Sequence, residues 1–123
     1  MRVLVIEDEP IDLKLMGVVL TRDGHSVCGR SSAEGALETI VTESPDIILL
    51  DLRLPGIDGL TLVRQLKSNA STYQIPIVAM TAFPRRYERE ELLAAGCEAC
   101  IIKPINTRTL ANQLTQVIEK RLH

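Results

Sequence analysis

Short, unbroken apolar runs alternate along the chain with segments whose apolar residues recur at helical spacing. Val3-Leu4-Val5-Ile6 and Ile47-Ile48-Leu49-Leu50 are continuously apolar, as expected of strands covered on both faces in a parallel sheet. Strands are predicted over residues 2–6, 26–30, 46–51, 75–81 and 98–102, with 26–30 the weakest pattern. Between them, Ala33, Ala36, Leu37, Ile40 and Val41 follow i, i+3, i+4, i+7, i+8, and Leu110, Leu114, Val117 and Ile118 follow i, i+4, i+7, i+8. Each set predicts a helix with one apolar face. Residues 11–23 are broadly apolar, which predicts a well-buried helix. Residues 59–68 carry Leu62, Val63 and Leu66. Residues 84–95 are the least amphipathic, with Gly96 placed to cap their C-terminus. The charged run from Arg85 to Glu91 reads as a solvated helix face with i, i+4 pairs such as Arg86–Glu90.

The result is a (βα)₅ alternation that occupies residues 1–123 with no linker, repeat or low-complexity stretch, so a single domain is expected. Strands alternating with helices imply a parallel sheet with helices on both faces. Composition narrows the function. The net charge is −2, which disfavours a nonspecific nucleic-acid binder. Only Tyr73, Phe83 and Tyr87 are aromatic, too few for a base-stacking platform or a flavin site. No apolar run approaches the ~20 residues that span a bilayer. Three cysteines, Cys28, Cys97 and Cys100, leave no complete disulfide framework and suit a reducing, cytoplasmic setting.

In a doubly wound sheet, ligands bind beyond the C-terminal ends of the strands. Those ends carry Glu7-Asp8-Glu9, Asp51, Thr81 and Lys103-Pro104. If strands one and three are neighbours, Glu7, Asp8 and Asp51 crowd together, and such like charges need a cation. Hard oxygen ligands suit Mg²⁺. A carboxylate beside it is also a possible nucleophile, giving an aspartyl-phosphate whose charge a lysine and a threonine hydroxyl would help to offset.

Glu7-Asp8, the run from Asp51 to Gly59 (DLRLPGIDG), Thr81-Ala82 and Lys103-Pro104 together resemble the receiver domain of two-component response regulators, the CheY-like superfamily, over essentially the whole chain. The resemblance implies a flavodoxin-like doubly wound sheet of strand order 2-1-3-4-5. It implies that Asp51 accepts a phosphoryl group from a sensor histidine kinase or a histidine phosphotransfer protein. Asp8 and Asp51 would bind Mg²⁺, with Glu7 assisting and the Arg53 backbone carbonyl as a further ligand. Thr81 would hydrogen-bond the phosphoryl group and Lys103 pair with it. Pro55 and Gly59 would shape the acceptor loop, Ala82 leave the site accessible, and Lys103-Pro104 be a cis peptide. Arg53 and Phe83, two residues after Asp51 and Thr81, would border the site and slow hydrolysis. Cys100 stands where receivers usually carry Tyr or Phe, so an aromatic switch is missing while the threonine arm remains.

The expected protein is thus a phosphorelay switch, phosphorylating and dephosphorylating only itself. Its output is expected through strand five and helices four and five. With the last helix reaching about Leu122, an effector is expected in trans. The stretch from Gly96 to Ala99 ahead of Lys-Pro-Ile is similar to DivK-like stand-alone receivers and to hybrid-kinase receivers. A monomer or weak dimer is expected. Other readings fare worse. Cys97-Glu98-Ala99-Cys100 matches a dithiol motif but follows a helix instead of opening one. His25 and His123 are remote from it, leaving no four-ligand zinc site. Haloacid-dehalogenase-like phosphatases need a second aspartate where Arg53 stands. No phosphate-binding glycine run occurs. An interaction module with a vestigial pocket would not need the full acid, threonine and lysine set.

Overall fold

A computed structural model describes residues 1–82 and 88–122. Ten elements alternate: β1 (Arg2–Ile6), α1 (Pro10–Arg22), β2 (Ser26–Arg30), α2 (Ala33–Glu43), β3 (Ile47–Asp51), α3 (Gly59–Lys67), β4 (Ile77–Thr81), α4 (Glu88–Ala95), β5 (Ala99–Ile102) and α5 (Leu110–Leu122). The strands form one parallel sheet in the order β2-β1-β3-β4-β5, a flavodoxin-like α/β fold. Phe83, residues 84–87 of the expected fourth helix, the Arg86–Glu90 pair and His123 lie outside the described residues or reach beyond them.

The continuous apolar runs behave as strands buried on both sides. Leu4, Ile6, Ile48, Leu50, Ile77 and Ala79 join the core under α2, α3 and α4. Val3, Val5, Ile47, Leu49, Val78 and Met80 join the core under α1 and α5. Successive side chains leave a strand on opposite faces, so a single apolar run serves both layers. The weak β2 pattern is an edge strand with partly exposed residues, which explains its poor signal. β4 starts at Ile77 and not at residue 75: Pro76 has no N–H for the ladder, although its carbonyl accepts from Ile48 at 2.9 Å.

Two expectations of burial need correction. α1 is not well buried throughout: Met16, Val19 and Leu20 face the core, but Ile11 is 77% exposed, Val18 59% and Leu15 39%. Likewise Leu37 and Val41 of α2 are exposed, and the buried stripe is Ala33, Ala36 and Ile40 with Thr39. A helix laid on a sheet buries only the stripe that faces it. Helix α2 lies against the β1–β2 side of the sheet, and α1 neighbours β2 and α5, so the outer flanks of both meet water. The α5 expectation holds, with Leu110, Leu114 and Val117 buried.

Local chemistry sets the helix starts near the strand ends. Glu9 caps α1 by accepting from the Ile11 amide at 2.9 Å, with Pro10 next in line. Ser32 caps α2 by accepting from Gly35. α3 begins against Leu52: a Cβ on Gly59 would lie 2.6 Å from Leu52 Cα and 2.8 Å from its carbonyl oxygen. Both obstacles are main chain, so neither can rotate away. Gly59→Ala should therefore destabilise by about 1–3 kcal/mol in urea denaturation. On helix propensity alone the same change would stabilise by up to about 1 kcal/mol, so the sign of the result separates the two effects. Among the described residues no helix is long and apolar enough to cross a membrane.

Candidate functional site

The order β1-β3-β4-β5 lines up four strand ends side by side. Glu7 and Asp8 follow β1, Asp51 closes β3, Thr81 closes β4, and Lys103 follows β5. Backbone hydrogen bonds hold the row: the Leu52 amide donates to the Met80 carbonyl at 3.1 Å and the Lys103 amide to the Thr81 carbonyl at 2.9 Å. The Lys103-Pro104 peptide is cis, as expected.

The side chains converge. Lys103 Nζ donates to Glu7 Oε1 at 2.6 Å and to Asp51 Oδ2 at 2.9 Å. The other Asp51 oxygen, Oδ1, accepts from the Arg53 amide at 2.9 Å, which fixes the Arg53 main chain beside the acid. Glu7, Asp51 and Thr81 are buried, while Asp8 is exposed. Glu7, Asp8 and Asp51 each offer a carboxylate oxygen, and these atoms lie within 4.8 Å of one another. Sequence reasoning did not find Asp12. It lies in the first turn of α1, and its Oδ2 accepts from Lys103 Nζ at 3.2 Å. The available signal was positional: the helix after β1 starts at the functional edge, so its first turn lies at the site.

The electrostatics push two neighbouring acids in opposite directions. Burial, reinforced by the Asp51 carboxylate, pushes Glu7 up to about 8 despite Lys103. Burial also acts to raise Asp51, but the Glu7 carboxyl, the Arg53 amide and Lys103 outweigh it and hold Asp51 below the ordinary carboxylate range. Burial acts to lower Lys103, and Glu7 and Asp51 reverse this, holding it above the ordinary lysine range. Asp51 is therefore the acid held toward its ionised form, and Glu7 the one pushed toward its neutral form.

Among the described residues, two buried polar atoms have no hydrogen-bond partner, Glu7 Oε2 and Thr81 Oγ1. An orphaned carboxyl oxygen within an all-oxygen acid trio fits a hard divalent cation such as Mg²⁺. An orphaned hydroxyl closing the strand beside Asp51 fits an anionic group on that aspartate. Asp12, Leu15, Ala82, Lys103, Pro104 and Ile105 line an open cleft of about 480 Å³ next to this row.

The cysteines do not form a competing site. Burial pushes the Cys97 thiol up to about 12 and also raises Cys100, the opposite of what a reactive dithiol needs. All three cysteines are free, and Cys100 is half-buried against the core under α4.

A doubly wound sheet whose C-terminal edge holds an ionised aspartate under a lysine, with acids beside it for a divalent cation, defines a receiver-type domain. Residues 3–115 match the response regulator receiver domain family, and the chain belongs to that family. The polar-differentiation response regulator DivK of Brucella ovis is 34% identical over 104 residues, 85% of each chain. A putative response regulator from Chloroflexus aurantiacus has a solved structure similar to this one, with a TM-score of 0.89 at 27% identity, covering 96% of this chain and 97% of that one. The BeF₃-activated N-terminal receiver domain of Klebsiella pneumoniae RstA aligns with a TM-score of 0.87 at 30% identity, covering 96% and 98%.

Proposed function

We propose that this chain is the phosphoacceptor of a phosphorelay and that Asp51 takes the phosphoryl group. The observation that carries this is the buried Asp51 carboxylate, held ionised by Lys103 and the Arg53 amide within one row of strand ends. An Asp51 oxygen attacks the phosphorus of a phosphohistidine on a kinase or phosphotransfer protein. The new O–P bond forms as the P–N bond breaks, and the imidazole leaves with the electron pair and takes up a proton. Lys103 and the Thr81 hydroxyl then bind the phosphoryl oxygens. Glu7, Asp8, Asp51 and the Arg53 carbonyl would hold Mg²⁺, which supplies positive charge toward those oxygens when bound.

The chain acts on itself alone in this reading and turns over no external substrate. Leu15 lines the cleft beside the site, Ile11 and Val18 are exposed on the same helix, and these apolar side chains suit contact with the protein that presents the phosphohistidine. Output is assigned to the face of β5, α4 and α5, where Leu93 and Ile102 are exposed. An effector is read as engaging that face, and the setting as the cytoplasm.

The test is incubation with acetyl phosphate, with and without Mg²⁺, followed by intact mass. A gain of one phosphoryl group that requires Mg²⁺ supports the reading. No gain under either condition rejects it in favour of a receiver-fold interaction module.

A further inference from the structure

Lys103 Nζ has three protons and three carboxylate acceptors: Glu7 Oε1, Asp51 Oδ2 and Asp12 Oδ2. Its donor capacity is filled. Phosphorylation removes the charge of the Asp51 carboxylate and brings a multiply charged group to the same ammonium, so the Asp51 bond passes to one phosphoryl oxygen, and a second phosphoryl oxygen is held only if another bond yields. The three are not equivalent. The Glu7 side chain is fully buried and that of Asp51 is 9% exposed, whereas that of Asp12 is 38% exposed. The bond to Asp12 is also the longest of the three, at 3.2 Å. A buried carboxylate that loses its partner has no water to replace it, but a carboxylate at the cleft mouth rehydrates at little cost.

We propose that Asp12 is a positioning residue for Lys103. It holds the third ammonium proton while Asp51 carries no phosphoryl group, and it yields that proton when one arrives. This rests on the reading of Asp51 as the phosphoacceptor. Two consequences follow. Asp12 competes with the phosphoryl group for Lys103, so it weakens capture of that group. The exchange also cuts the tie between the first turn of α1 and the residue after β5, and so reports the state of Asp51 to the helix that carries Ile11 and Leu15.

The test titrates the full chain with beryllofluoride, a phosphoryl mimic, in Mg²⁺, followed by ¹⁵N–¹H and ¹⁹F NMR. Three proteins are compared: the parent, Asp12→Asn and Asp12→Glu. Asp12→Asn should bind beryllofluoride about threefold to fivefold more tightly, the range of a partly exposed ion pair. Asp12→Glu keeps the charge and should bind like the parent. Saturation should shift the amides of residues 11–15 in the parent and much less in Asp12→Asn. A merely structural role in the first turn would lower the thermal midpoint of Asp12→Asn without tightening binding. Equal or weaker binding by Asp12→Asn overturns the proposal. Failure of the parent to bind beryllofluoride at all overturns the phosphoacceptor reading instead.

Discussion

Asp51→Asn should take up no phosphoryl group from acetyl phosphate in the presence of Mg²⁺, yet fold as well as the parent. The amide oxygen of asparagine is a far weaker nucleophile than a carboxylate, so the O–P bond does not form. The side chain keeps its shape and still offers an oxygen to the Arg53 amide, now held at 2.9 Å. Lys103 keeps Glu7 and Asp12 as partners. One negative charge leaves a crowded acid trio, which offsets the loss of the Lys103–Asp51 bond. Stability should therefore stay within about 1 kcal/mol of the parent in urea denaturation. Any rise in thermal midpoint on adding Mg²⁺ should shrink, because one of the three clustered carboxylates has lost its charge. Intact mass and the Mg²⁺-dependent midpoint check the two halves of this result. Uptake that persisted would place the acceptor elsewhere.

The parts of the site on strand ends were legible because strand periodicity is strong where both faces are buried. β1 and β3 are unbroken apolar runs, so the residues that end them, Glu7-Asp8 and Asp51, could be placed at one edge. Thr81 and Lys103 followed from the same rule, and the family motifs supplied their roles. Asp12 was not legible, because helical spacing says which residues share a face but not which face meets a neighbouring strand end. The exposure of Ile11, Leu15, Val18, Leu37 and Val41 was hidden for a related reason. An apolar side chain reports a preference, while burial depends on how far the covering layer extends. The protonation contrast between Glu7 and Asp51 depends on burial and on the Arg53 amide, both properties of the folded chain.

Lys103→Met should produce the largest loss of stability among single changes at the site. Methionine fills similar space but leaves Glu7, fully buried, and Asp51, nearly so, without their shared cation. Removing one partner from a buried ion pair costs about 3–5 kcal/mol, and less below about pH 8, where Glu7 already holds a proton. The sign of the pH dependence follows from linkage. Folded Glu7 titrates near 8, well above its unfolded value of 4.5, so between these values the folded chain binds a proton that the unfolded chain has released. Glu7 thus contributes stability that is present in acid and lost as pH rises through about 8. Lys103 acts to lower Glu7, so without it the decline should continue to higher pH. The deficit of the variant should be smallest at about pH 6 and widest at about pH 9, and Mg²⁺ should narrow it by restoring positive charge among the carboxylates. Urea denaturation across that range, with and without Mg²⁺, measures this directly. A deficit that is flat with pH and indifferent to Mg²⁺ would mean that Lys103 contributes packing and not charge, and Asp51 would then need another source for its depressed pKa.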